Sequence, residues 1–169
     1  AACHGILLES GYGNIIDNAR IYYCGHGIAL RSALTNVSNV YTQNCGISGL
    51  IVKSATTSGD AHDINISNCI FNDGYGVIVE GFETGTYAQN INVVNCIGYV
   101  NDGPAFNTRT TSGSVINVTF TNCQSVGNAN AGFNTVNGDR ITFVNCRSNV
   151  ALTGFKNNSA TRVQLIGCF

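Results

Sequence analysis

The sequence contains no methionine, no tryptophan and a single proline, and charged residues make up only 10% of it. Eight basic and nine acidic side chains leave a formal net charge of −1. That balance argues against nucleic acid or an anionic membrane surface as a partner. No apolar run approaches the roughly 20 residues that cross a bilayer. The opening, AACHGILLES, lacks the charged segment and apolar run of a secretory leader and has no initiator methionine. The expectation is therefore one domain spanning residues 1–169, a piece of a longer chain. Cysteine never occurs as C-x-x-C, so no zinc site is assigned. Nor is there any 3.6-residue periodicity, which excludes a helical repeat.

What the chain has in abundance is glycine (20 residues) and cysteine (8 residues), the latter in a near-regular series. The cysteines, at 3, 24, 45, 69, 96, 123, 146 and 168, are separated by 21, 21, 24, 27, 27, 23 and 22 residues. Most close a related segment: VYTQNC, INISNC, INVVNC, VTFTNC and ITFVNC. A fixed period of this size is the mark of a repeat architecture. Before each cysteine, apolar residues alternate with polar ones, as in Ile64, Ile66 and Val93 against Asn65 and Asn92. Period-two alternation rich in β-branched residues predicts a strand with one buried face. Asn44, Asn68, Asn95, Asn122 and Asn145 precede their cysteines. Asparagine tolerates the left-handed conformation that turns a chain sharply, and stacked copies form an amide ladder.

A second strand is predicted after each cysteine, with Leu8, Leu30, Val52, Val79, Phe106, Phe133 and Phe155 in one inward column. Two strands and their turns per coil, each unable to bury its apolar face alone, predict stacking into a rod of about seven coils and roughly 35 Å. The eight cysteines are expected in one interior column as free thiols, because side chains stacked in register point in parallel and make poor disulfides. Reduced thiols suit folding in a cytoplasm.

The segments 39–45 (NVYTQNC), 63–69 (DINISNC), 90–96 (NINVVNC) and 117–123 (NVTFTNC), each followed by glycine and alternating apolar residues, carry a family resemblance. The chain resembles the right-handed, single-stranded parallel β-helix repeat of the pectate-lyase-like superfamily, most closely a bacteriophage tailspike or depolymerase β-helix. The resemblance implies an all-β solenoid of coils of 21–27 residues with an asparagine ladder and a buried cysteine column. It implies a polysaccharide partner, a homotrimer or longer β-helix context, and a virion-tail or extracellular location. Three functions stay open: glycan recognition of the tailspike type with or without cleavage, a secreted pectate-lyase-like polysaccharide lyase, and a non-catalytic structural or trimerising rod. Fold alone does not choose among them.

Candidate chemistry lies in the residues that vary between coils. Glu9, Arg31, Lys53, Glu80, Asn107, Asn134 and Lys156 are expected in one outward column, and His4, His26, Ser48, Tyr75 and Asp102 in another. Coils three to five carry the longest excursions, where a groove with walls can form. Hydrolysis needs two carboxyl groups about 5–5.5 Å apart for retention or about 6.5–9.5 Å for inversion. Glu80 with Asp73 or Asp102 is the candidate catalytic set, and Lys53, Tyr75, Glu83, Asn107 and Arg109 are the candidate substrate contacts. No cofactor is assigned; calcium enters only for a lyase, with GDAHD at 59–63 and Glu83 as a partial oxygen set. Val94, Val144 and Ile166, outward and apolar, are candidates for packing against sister chains.

Overall fold

The computed structural model describes residues 3–55, 59–100, 103–127, 131–150 and 152–169, and each of its regular elements is a strand. The strands form three parallel sheets, called A, B and C here, of seven, seven and six strands. Sheet A stacks His4–Leu8, His26–Leu30, Ser48–Ser54, Tyr75–Gly81, Phe106–Thr110, Phe133–Val136 and Phe155–Asn158. Sheet B stacks Ile15–Asp17, Asn36–Ser38, Ala61–Ser67, Tyr87–Val94, Ser114–Thr121, Asp139–Val144 and Thr161–Ile166. Sheet C stacks Arg20–Tyr22, Tyr41–Gln43, Ile70–Asp73, Ile97–Val100, Gln124–Gly127 and Arg147–Val150. The chain visits A, B and C in turn and climbs one rung per circuit, giving the all-β parallel solenoid that the repeat predicts.

The sequence pattern suggests two strands per coil, whereas the structure has three. The extra sheet is C, whose strands in the third to sixth rungs are only four residues long and follow the cysteine directly. In the first two rungs, the segment read as the strand before the cysteine is itself sheet C. The predicted single cysteine column is accordingly two. Cross-rung bonds place Ala19, Val40, Cys69, Cys96, Cys123, Cys146 and Phe169's neighbour Cys168 at the corner between B and C. Cys3, Cys24 and Cys45 stack instead at the corner between C and A. Asn–Cys is written at both corners because both need the same backbone: φ is 58° at Asn44 and 54° at Asn68. The local conformation is read correctly; the corner it belongs to is not.

The B–C corner column runs through Asn18, Asn39, Asn68, Asn95, Asn122 and Asn145, with φ between 50° and 54°, and ends at Gly167 with φ 62°. A left-handed residue costs little where asparagine or glycine supplies it. Asn122 donates to Asn95 Oδ1 at 3.2 Å, and Asn95 to Asn68 Oδ1 at 3.4 Å. Inside, Ile64, Ile91, Val118 and Ile141 share one column, and Ile66, Val93, Phe120 and Phe143 share the next. Each fully buried side chain of this kind contributes about 1.5–3 kcal/mol.

In sheet A, Phe106 pairs with Val77, not Val79, so the phenylalanines continue the column of Ile6, Ile28 and Leu50. The column of Leu8, Leu30, Val52 and Val79 is continued by Thr108 and Thr135. Packing explains the two-residue shift. At the first inward position Phe106 and Phe133 stack at 4.9 Å and meet Phe120 edge-on, leaving room only for small side chains at the second.

Candidate functional site

The outer face of sheet A carries two columns. Leu7, Ala29, Ile51 and Ile78 make an apolar strip, continued by Asn107, Asn134 and Lys156. Beside it runs Lys53, Glu80 and Arg109 in direct register, with Arg31 and Glu9 preceding them. The two-residue shift therefore puts Arg109 where the sequence suggested Asn107. It is this shift that brings Arg109 against Glu80: Nε donates to Oε1 at 3.0 Å, and the Thr111 hydroxyl donates to the same oxygen at 3.0 Å. The Glu80 side chain is 6% exposed. Lys53 lies with Nζ 3.3 Å from the centroid of the Phe82 ring, a cation–π contact. Burial, ahead of its charged neighbours, pulls the Lys53 pKa below the ordinary lysine value.

His4 and His26 stack with centroids 5.5 Å apart, and His26 Nδ1 meets Ser48 Oγ at 2.7 Å. Burial first, and the neighbouring His4 second, lower the His26 pKa, favouring the neutral ring. These groups surround a groove of about 390 Å³ with Ala29 and Ile51 as its floor and Arg31, Lys53, Glu80 and Arg109 along it. A family model described as the right handed beta helix region matches residues 2–148. The chain belongs to the right-handed β-helix family. No curated protein and no solved structure matches it.

Within this right-handed β-helix, the other predicted residues fall in different places. Tyr75 follows His26 and Ser48 in its column and packs against Ala29, Ile51 and Ile78. A side chain at Gly103 would meet the Tyr75 ring at 2.5 Å, so the ring packs against the bare glycine and would have to shift to admit one. Asn107 is buried and accepts from Asn134 at 2.9 Å, which in turn accepts from Asn158 at 3.2 Å. Glu83 sits in the loop after the Tyr75–Gly81 strand, where its carbonyl accepts from the Thr86 amide. Asp102 lies outside the described residues.

Asp73 does not join Glu80. Its carboxylate points inward, accepting from the Thr42 hydroxyl and from the Cys45 amide at 2.6 Å. Burial raises its pKa, against the pull of those two donors. The segment around 59–63 uses its carboxylates across rungs: Asp60 accepts from the Tyr87 amide at 2.7 Å and Asp63 from Asn90 at 2.9 Å. Among the described residues no three His, Cys, Asp or Glu side chains are grouped to hold a metal ion. Val94, Val144 and Ile166 do share one outward column of sheet B, the last 51% exposed.

Phe82 and Thr111 complete the Glu80 and Lys53 environments and were missed by sequence reasoning. Both lie in loops outside the repeat, where no column predicts them. A tyrosine-lined groove on sheet C was missed too, although the run RIYYC followed by VYTQNC carried its signal.

Proposed function

We propose that the chain is a polysaccharide-recognising β-helix whose polymer lies along the outer face of sheet A. The observation that carries this reading is the column Arg31, Lys53, Glu80 and Arg109 beside the strip Ala29, Ile51 and Ile78. Rungs about 4.8 Å apart offer hydrogen-bonding heads at a regular interval, with an apolar surface for the C–H faces of sugar rings. Glu80 is held by two donors yet keeps acceptor capacity on its second oxygen. In the whole column three cations stand against two carboxylates, which favours an uncharged or acidic glycan over a basic one.

Recognition is favoured over cleavage because Glu80 is the one carboxylate among the described residues lining the groove. Glycoside hydrolysis by the two-carboxyl route needs a second. The free thiols suit a virion protein folded inside a host cell, so a phage tailspike is the setting we favour. The test is incubation of the purified chain with bacterial capsular, O-antigen and plant polysaccharides, following binding, new reducing ends and ultraviolet absorbance of unsaturated products. Binding without new ends, weakened about tenfold or more by Lys53→Gln, is expected. New reducing ends without ultraviolet absorbance would establish hydrolysis, and new reducing ends with it a lyase. Binding that ignores Lys53→Gln would remove sheet A from the proposal.

A further inference from the structure

The asparagine ladder at the B–C corner is continuous from Asn122 to Asn68 and then stops. In the next rung, Asn39 Nδ2 donates to Asp17 Oδ1 at 2.9 Å instead of to Asn18, and Asn18 donates to Asp17 Oδ2 at 2.7 Å. The Asn68 amide group and the Asn39 carbonyl thus lie one rung apart without bonding to each other among the described residues. Asp17 is the cause. Its carboxylate also accepts from Ser38 Oγ at 2.6 Å, and these bonds hold its pKa below the ordinary carboxylate value, so it stays an acceptor at neutral pH.

The interruption opens onto a groove of about 730 Å³ on the outer side of sheet C. Its floor is Ala19 and Val40, and its walls include Tyr22 and Tyr41, whose rings are 6.0 Å apart and tilted by 55°. Tyr22 is 44% exposed, and Tyr23 beside it is 80% exposed. The Tyr41 hydroxyl donates to Gln43 Oε1 at 3.1 Å, fixing the ring upright. Among the described lining residues Arg20 is the one charged side chain. Higher up the same face, Ile70, Ile97, Gln124 and Arg147 occupy the Tyr41 column and no second tyrosine pair forms.

We propose that this groove is a second saccharide site, taking a neutral oligosaccharide and independent of the sheet A track. The exposed Tyr22 ring and the half-buried Tyr41 ring match the C–H faces of pyranose rings, as aromatic rings match any surface that is apolar on one side and wet on the other. The open Asn68 donor and Asn39 acceptor match the paired donor and acceptor capacity of adjacent sugar hydroxyls. One cation gives no basis for a polyanion, and with no carboxylate among the described lining residues there is no basis for the two-carboxyl route there.

The test titrates hexasaccharides of glucose, mannose, xylose and N-acetylglucosamine into the purified chain, read by calorimetry and by tyrosine fluorescence, which no tryptophan obscures. Two variants are compared with the unmodified protein. Tyr22→Ala removes one stacking face, and Asn39→Gly removes the amide while keeping the left-handed corner. Tenfold or weaker binding in both Tyr22→Ala and Asn39→Gly, with all melting curves cooperative, is the expected result. Binding lost in Lys53→Gln but kept in Tyr22→Ala would transfer the ligand to sheet A and overturn this site. No binding of any hexasaccharide at millimolar concentration would overturn it as well, without touching the polymer reading for sheet A.

Discussion

The rungs after Tyr87 and the rungs before it are built on one repeat but distribute their polar groups differently. In the later rungs, side-chain amides bond mostly to one another: Asn122 to Asn95, Asn158 to Asn134 to Asn107, and Asn117 to Asn90, while a link of the same kind, Asn65 to Asn36, persists in the earlier rungs. Beneath them the core is aromatic, with Phe133 stacked between Phe106 and Phe155 at 4.9 and 4.7 Å. In the earlier rungs the core column is Ile6, Ile28 and Leu50, and the outer positions hold His26, Arg31, Lys53, Tyr22 and Tyr41. Groups that satisfy each other within the rod have little left for a ligand. The difference teaches where to look: architecture is concentrated where successive rungs agree, and chemistry where they do not.

Removing the stack should have the largest effect. Phe133→Ala deletes two parallel ring contacts and edge contacts to Phe120 and Phe143 at 6.4 and 5.4 Å. The expected loss is about 3–5 kcal/mol in urea denaturation. A loss under about 1 kcal/mol would mean that the aromatic rungs are not the rod's stable part and would collapse the contrast.

Much of this contrast is readable from residue order alone, and its failures have one origin. The inward alternation, the left-handed asparagines and the parallel stacking follow from residues such as Ile64, Asn68 and Ile91, whose local preferences agree with their final environment. Register between rungs is harder. The pair Asn44–Cys45 is locally identical to Asn68–Cys69 and sits at a different corner, and Phe106 is two places from where equal loop lengths would put it. Loops of unequal length shift one rung against the next without altering any local pattern. Asp73 illustrates the same limit. The sequence offers it as a catalytic partner of Glu80, yet the Thr42 hydroxyl and the Cys45 amide hold it inside.

Asp73 gives the next, smaller effect, and its sign is fixed by burial. Its pKa in the folded chain is raised above the ordinary 3.8, so the folded state holds the proton more tightly than the unfolded one. The stabilisation this gives is complete below pH 3.8 and is lost as pH rises through the folded value. Asp73→Asn should lack that slope, so urea midpoints of the two proteins measured across the acid range should diverge. Parallel curves would show that the carboxylate is solvated and that the inner corner is open.

The smallest effect belongs to the outermost pair. Glu9 and Arg31 meet at 3.0 Å, but Glu9 is largely exposed. Glu9→Gln should change stability by under about 1 kcal/mol and should matter less as salt is added. A larger, salt-independent loss would place this pair with the buried Glu80–Arg109 contact rather than with the surface.

Every strand in the three sheets bonds only to its counterparts one rung before and one rung after. Length is therefore a free variable. Asn90 follows Asp63 by 27 residues, and Asn117 follows Asn90 by the same 27. A duplicated or excised segment of that length re-enters the same register, lengthening or shortening the rod by about 4.8 Å. Such an insertion above the fifth rung, beyond Arg109, would leave both grooves untouched, so the rod's reach can change without altering either of them.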